Sequence, residues 1–174
     1  LGMLYRRAGN NSDAERLLSR ALEIREKQPG PDHSHRVGAL NNLADLYRDV
    51  GEYGKAESLF QHALSILEKV RGPKHPDTAA ELTKLGLFCS MALRDHAKAE
   101  LLLQRALEIH ERVDGPAHSA TVGSLNNLAV ICKAKGDYGK AEALYRRALT
   151  HCEDVPGKEQ ATASILSNLA ELSY

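Results

Sequence analysis

The 174-residue chain is 43% hydrophobic and 26% charged, a globular composition with enough apolar content for a continuous core, which excludes intrinsic disorder. Its 23 Lys and Arg balance 23 Asp and Glu, so no net field exists to gather nucleic acid, anionic lipid or acidic substrates. No run approaches the roughly 20 apolar residues that a membrane span requires, and no basic-then-apolar signal segment opens the chain.

In chain order, the first residues, Leu1-Gly2-Met3-Leu4-Tyr5, already follow a helical pattern that Gly9 interrupts. A second pattern runs through Ala21-Leu22. Gly30-Pro31 then breaks the chain, because proline lacks an amide hydrogen and clashes with the preceding turn. Val37, Leu40, Leu43, Ala44 and Tyr47 resume helical spacing up to Gly51, and Ala56, Leu59, Phe60, Ala63, Leu64 and Leu67 continue beyond it. One unit is therefore a helical hairpin with glycine at the reversal, where a positive φ carries no steric cost.

That unit repeats. The alanine at Ala21 recurs at Ala63, Ala106 and Ala148, spacings of 42, 43 and 42, and glycine keeps step at Gly30, Gly72, Gly115 and Gly157. Leu40-Asn41-Asn42-Leu43-Ala44 returns as Leu125-Asn126-Asn127-Leu128-Ala129, and more loosely as Leu82-Thr83-Lys84-Leu85-Gly86 and Leu166-Ser167-Asn168-Leu169-Ala170. The expected organisation is a partial repeat over 1–29, repeats over 30–71, 72–114 and 115–156, and a partial repeat over 157–174. Small residues at Ala44, Gly86, Ala129 and Ala170, facing Ala56, Ala99 and Ala141, predict close approach of the two helices in each hairpin. The third unit departs from the pattern: Ala92-Leu93-Arg94-Asp95-His96 replaces the Gly51-Glu52-Tyr53 turn, loses its glycine and adds a residue.

One hairpin cannot cover its own apolar face, so units stack into an all-α solenoid, expected as a right-handed superhelical array with a concave groove. Both ends of the chain lie in helical pattern, and helix faces left open there predict self-association through the array ends. The three cysteines are odd in number and widely spaced, which fits reduced thiols and a cytoplasmic location. Cys89 and Cys132 fall at the position of Tyr47 on the buried stripe, whereas Cys152 is expected to be more accessible.

The small-x-x-Tyr, Gly, Tyr, Lys-Ala-Glu and Ala-Leu pattern resembles the tetratricopeptide repeat family, whose usual unit has about 34 residues. The longer unit, with Leu-Asn-Asn-Leu-Ala, Ala21-Leu22-Glu23-Ile24-Arg25-Glu26-Lys27 and Gly-Pro before the next helix, is similar to that of kinesin light chain, and to long repeats of nephrocystin-type and bacterial multidomain proteins. The resemblance implies a protein-interaction scaffold of adaptor or cargo-recognition type. Its first helices would line a groove for an extended peptide, and the first asparagine of Leu-Asn-x-Leu-Ala would meet the peptide backbone. Carried over, that role falls on Asn41 and Asn126, whose amides both donate and accept, while Thr83 and Ser167 hold the equivalent places with hydroxyls.

Around those positions, Asn41, Asp45, Arg48 and Asp49 share one helical stripe, matched by Met3, Arg6 and Arg7, by Thr83, Leu87, Ser90 and Met91, and by Asn126, Val130 and Lys133. The stripe reads basic first, then mixed, then apolar at Leu87, Met91 and Val130, so the expected ligand is a peptide with an acidic end and a hydrophobic anchor. The rival expectation is a structural or regulatory array packed against flanking domains of a larger protein. His33, His75 and His118 hold one loop position in successive units, so they cannot converge on a metal, and their expected role is bonding to nearby backbone. With no phosphate loop, nucleophile elbow or acid-base set, neither a cofactor nor catalysis is expected.

Overall fold

A computed structural model describes residues 10–27, 33–152 and 157–172. Those residues form eight helices and no strands: α1 Asn11–Lys27, α2 His33–Asp49, α3 Tyr53–Val70, α4 Pro76–Met91, α5 His96–Val113, α6 Ser119–Ala134, α7 Tyr138–Thr150 and α8 Glu159–Ala170. They group into two compact units, Leu1–Glu81 and Leu82–Tyr174. Gly9, Arg6, Arg7 and Met3 lie outside the described residues.

In the first unit, Ala14 and Leu18 of α1 pack on Leu43 and Leu46 of α2. The other face of α2 places Val37 and Leu40 against Ala63 and Leu67 of α3. In the second unit the same register buries Leu82, Leu85 and Cys89 of α4, Ala99, Leu103 and Ala106 of α5, Leu125, Leu128 and Cys132 of α6, and Ala141, Tyr145 and Ala148 of α7. Each leucine so buried contributes about 1.5–3 kcal/mol against exposure. The close approach expected of the small residues is sharpest at Gly86, where an added Cβ would lie 3.0 Å from Leu103 Cγ.

Two reversals run through glycine, Gly51 at φ +83° and Gly136 at φ +81°. In each, the amide that reopens the chain bonds five residues back: Glu52 N to Tyr47 O at 2.8 Å, and Asp137 N to Cys132 O at 2.9 Å. The irregular reversal spans six, Asp95 N to Cys89 O at 3.0 Å, and Arg94 takes the left-handed conformation at φ +57° in place of glycine. The extra residue widens the turn and leaves the next helix start intact, because Asp95 caps α5 by accepting from Lys98 N at 2.9 Å.

Between hairpins, Thr78 Oγ1 donates to Gly72 O at 2.8 Å, and Thr121 Oγ1 donates to Gly115 O at 2.7 Å. His75 Nδ1 accepts from Asp77 N at 3.1 Å and His118 Nδ1 accepts from Ala120 N at 3.3 Å. These loop histidines bond backbone at helix starts, as their spacing suggested, while the side chain of His33 is not described. Cys89 and Cys132 are core residues as expected. Cys152 is not more accessible: at 1% exposure it is as buried as they are, because its register is that of Leu67 and His110 at the hairpin joints.

Candidate functional site

The first helices of the hairpins, α2, α4 and α6, and the start of the last unit, α8, carry every described candidate. Asn41 follows core residue Leu40 on α2 and is itself only 8% exposed. Its Nδ2 donates to Glu81 Oε2 on α4 at 2.8 Å, and its buried Oδ1 has no partner among the described residues. The expectation of an open groove asparagine is therefore corrected here: its donor side already belongs to a buried carboxylate. One and two turns on, Asp45 is paired with Arg48 Nη1 at 2.8 Å, and Arg48 Nη2 also meets Asp49 Oδ1 at 3.1 Å. Arg48 is thus a locally offset cation. The basic start assigned to Arg6 and Arg7 falls outside the described residues.

On α4, Thr83 and Leu87 are half-buried and Met91 is 76% exposed. Ser90 is not on the open stripe: it is buried, with its hydroxyl 2.9 Å from His96 Nδ1. On α6, Val130 is exposed, so Leu87, Met91 and Val130 keep the apolar character read from the sequence. Lys133 is engaged, its Nζ 2.5 Å from Glu171 Oε2, and that contact holds the Glu171 carboxyl below the usual carboxylate range. Ser167 is exposed on α8.

Asn126 has different surroundings from Asn41. It is half-buried, its Oδ1 accepts from Asn168 Nδ2 of α8 at 3.0 Å, and it borders a pocket of about 480 Å³ between α6 and α8. Val122, Gly123, Ala161 and Ile165 give that pocket an apolar floor, with Asn126, Lys158 and Ser164 at its polar edge. The Lys158 ammonium is held in place by the carbonyls of Ala117 and His151. Sequence reading missed Lys158, Val122, Gly123 and Ile165. The available signal was Gly123, a mid-helix glycine in the register of Gly38: glycine there costs about 1 kcal/mol relative to alanine, and an added Cβ would meet nothing within 4 Å at either position.

Among the described residues no group of His, Cys, Asp and Glu could hold a metal ion, and no helix is long and apolar enough to cross a membrane.

Comparison with known proteins accounts for the repeat. Tetratricopeptide repeat family models match residues 35–112, 81–154 and 120–174, and a further one matches residues 1–35. The chain is similar to the crystal structure of BtubC (BKLC) from P. vanneervenii, with 25% identity and a TM-score of 0.86 over 99% of this chain and 68% of that one. It is also similar to the nearly identical TPR-like repeats from Podosopora anserina designated as a kinesin light chain, at 21% identity and a TM-score of 0.82 over 99% of this chain and 82% of that one. A point variant of those repeats gives 22% identity and a TM-score of 0.82 over 99% and 81%. No curated protein sequence matches the chain. The tetratricopeptide fold is in general a protein–protein interaction scaffold, and proteins built from it are generally not enzymes. The chain belongs to the tetratricopeptide repeat family.

Proposed function

We propose that this chain is an adaptor or cargo-recognition module that binds an extended segment of a partner protein along its first helices. The observation that carries the reading is Asn126, whose amide stands at the edge of a pocket with an apolar floor. Its Oδ1 is used by Asn168, which leaves the Nδ2 hydrogens for a peptide carbonyl. Val122, Ala161 and Ile165 would take an apolar side chain, and Leu87, Met91 and Val130 extend the apolar surface on α4 and α6. Thr83, Lys133 and Ser167 supply the polar contacts beside them. Lys158, whose ammonium is bonded to neutral carbonyls, suits a peptide that also carries acidic residues. Three free thiols suit a reducing cytoplasm as the place of action.

A peptide array probed with the chain and with Asn126→Ala, each checked for folding by circular dichroism, tests this. Hits that combine an acidic and an apolar residue, and that the folded variant loses, are expected. An array without hits, or hits indifferent to the substitution, would sink the reading. The rival, a structural or regulatory array packed against flanking domains, is favoured by one observation: Asn41, the equivalent asparagine of α2, is already bonded to Glu81.

A further inference from the structure

We infer that the α5–α6 joint is an acid-labile latch behind the α6–α8 pocket, so that a fall in pH loosens α6 and the seat it offers a partner. The inference rests on the reading of that pocket as a ligand seat.

His110 lies in the last turn of α5, 8% exposed, with Nδ1 2.8 Å from the hydroxyl of Ser124, itself 2% exposed. Ser124 sits on α6 between Gly123 and Leu125, so the hydrogen bond grips the back of the same stretch whose front, Val122, Gly123 and Asn126, walls the pocket. The repeat supplies the contrast. At the other joints the place of His110 is taken by Arg25, Leu67 and Cys152, none of which gains a proton in acid.

The charges around His110 come from several elements. Asp114, in the turn after α5, favours the imidazolium, and His118 opposes it. α6 presents the neutral Ser124, and Glu111, next to His110 on α5, is paired with Arg147 of α7 at 2.5 Å. Residues 82–91 of α4 carry one charge, Lys84, which is exposed. Burial outweighs Asp114 and holds the imidazole below the ordinary histidine range. The folded joint therefore favours neutral His110, and an opened joint takes up a proton below about pH 6.5. The grip is complete at neutral pH and is lost as pH falls below that value. One histidine at pH 5.5 can shift the opening equilibrium at most about tenfold.

Amide hydrogen exchange of the whole chain at pH 7.5 and 5.5, corrected for intrinsic rates, reads this directly. Protection of residues 119–126 is expected to drop about five- to tenfold more than that of α2. His110→Leu, which copies Leu67, and His110→Gln, which keeps a hydrogen-bonding amide without a titration, should both abolish the excess. Equal changes in α6 and α2, or an excess that survives in a folded variant, would overturn the latch. Because no ligand enters the measurement, the latch and the peptide reading fail separately: a pH-sensitive α6 without array hits removes only the latter.

Discussion

Two copies of one pentapeptide, Leu-Asn-Asn-Leu-Ala, lie at residues 40–44 and 125–129, and they do different things. In the first, Asn41 is buried and bonded to Glu81; in the second, Asn126 is half-buried, bonded to Asn168 and open to a pocket. Both partners belong to the next first helix, but in different registers. Glu81 precedes the leucine Leu82, whereas its counterpart in α8 is Ile165, 1% exposed and part of the pocket floor. A carboxylate at that place reaches back and closes on the asparagine; an isoleucine does not reach it, and the amide is left at an open edge. What an asparagine does in this repeat is thus decided by a residue about one repeat further along the chain.

The largest effect expected from that difference is on stability. Asn41→Ala removes a charge-assisted hydrogen bond from a buried carboxylate, which costs about 2 kcal/mol. Urea unfolding followed by circular dichroism should show the loss, and 1 M salt should leave it unchanged because a buried bond is poorly screened. A loss under about 0.5 kcal/mol would mean that Glu81 has no need of Asn41, and the two asparagines would be equivalent after all.

The second unit is also fastened from outside. Glu100 of α5 accepts from both Lys135, after α6, and Lys140 of α7, and these two bonds hold its carboxyl below the usual carboxylate range. Glu100 is charged in the fold, so its contribution is present at neutral pH and lost as pH falls below about 4.3 and on through its lowered value. Glu100→Gln should cost about 1 kcal/mol at pH 7. The gap from the parent chain should narrow at pH 3, and also in 1 M salt, a condition that leaves the Asn41 effect unchanged. A salt-insensitive loss would show that Glu100 acts by packing rather than by charge.

A smaller effect, of opposite sign, separates the turns. Arg94 occupies a left-handed conformation that glycine holds at Gly51 and Gly136. Arg94→Gly should raise stability by up to about 1 kcal/mol, the strain relieved less the added freedom of the unfolded chain. If the same urea measurement shows a loss, Arg94 makes a contact that outweighs its strain.

The fold was legible because its signals are local and repeated. Ala63, Ala106 and Ala148 keep the period, Gly51 and Gly136 mark the reversals, and all of these do what their spacing requires. The site was less legible. Identical pentapeptides cannot announce that Glu81 stands near one and Ile165 near the other, since the deciding contacts are 40 and 42 residues away. Arg48 read as a cation on the stripe, yet Asp45 and Asp49, a turn before and one residue after, offset it. Cys152 read as more accessible, whereas the repeat register, which places it with Leu67 and His110, pointed inward.

The smallest stability effect belongs to Asn126, and it is the sharpest test of the comparison. Its bond to Asn168 joins two neutral amides at a partly exposed place, where water can replace either partner, so Asn126→Ala should change stability by no more than about 0.5 kcal/mol. Binding should respond the other way. If the amide meets a peptide carbonyl at the pocket edge, its loss should weaken an array hit about five- to tenfold, on the order of 1 kcal/mol. Fluorescence anisotropy with a labelled hit peptide measures that ratio for both variants. Asn41→Ala, corrected for the fraction folded, should bind that peptide as the parent chain does, while Asn126→Ala should not. A reversed order would place the peptide over Asn41 and require its bond to Glu81 to open on binding.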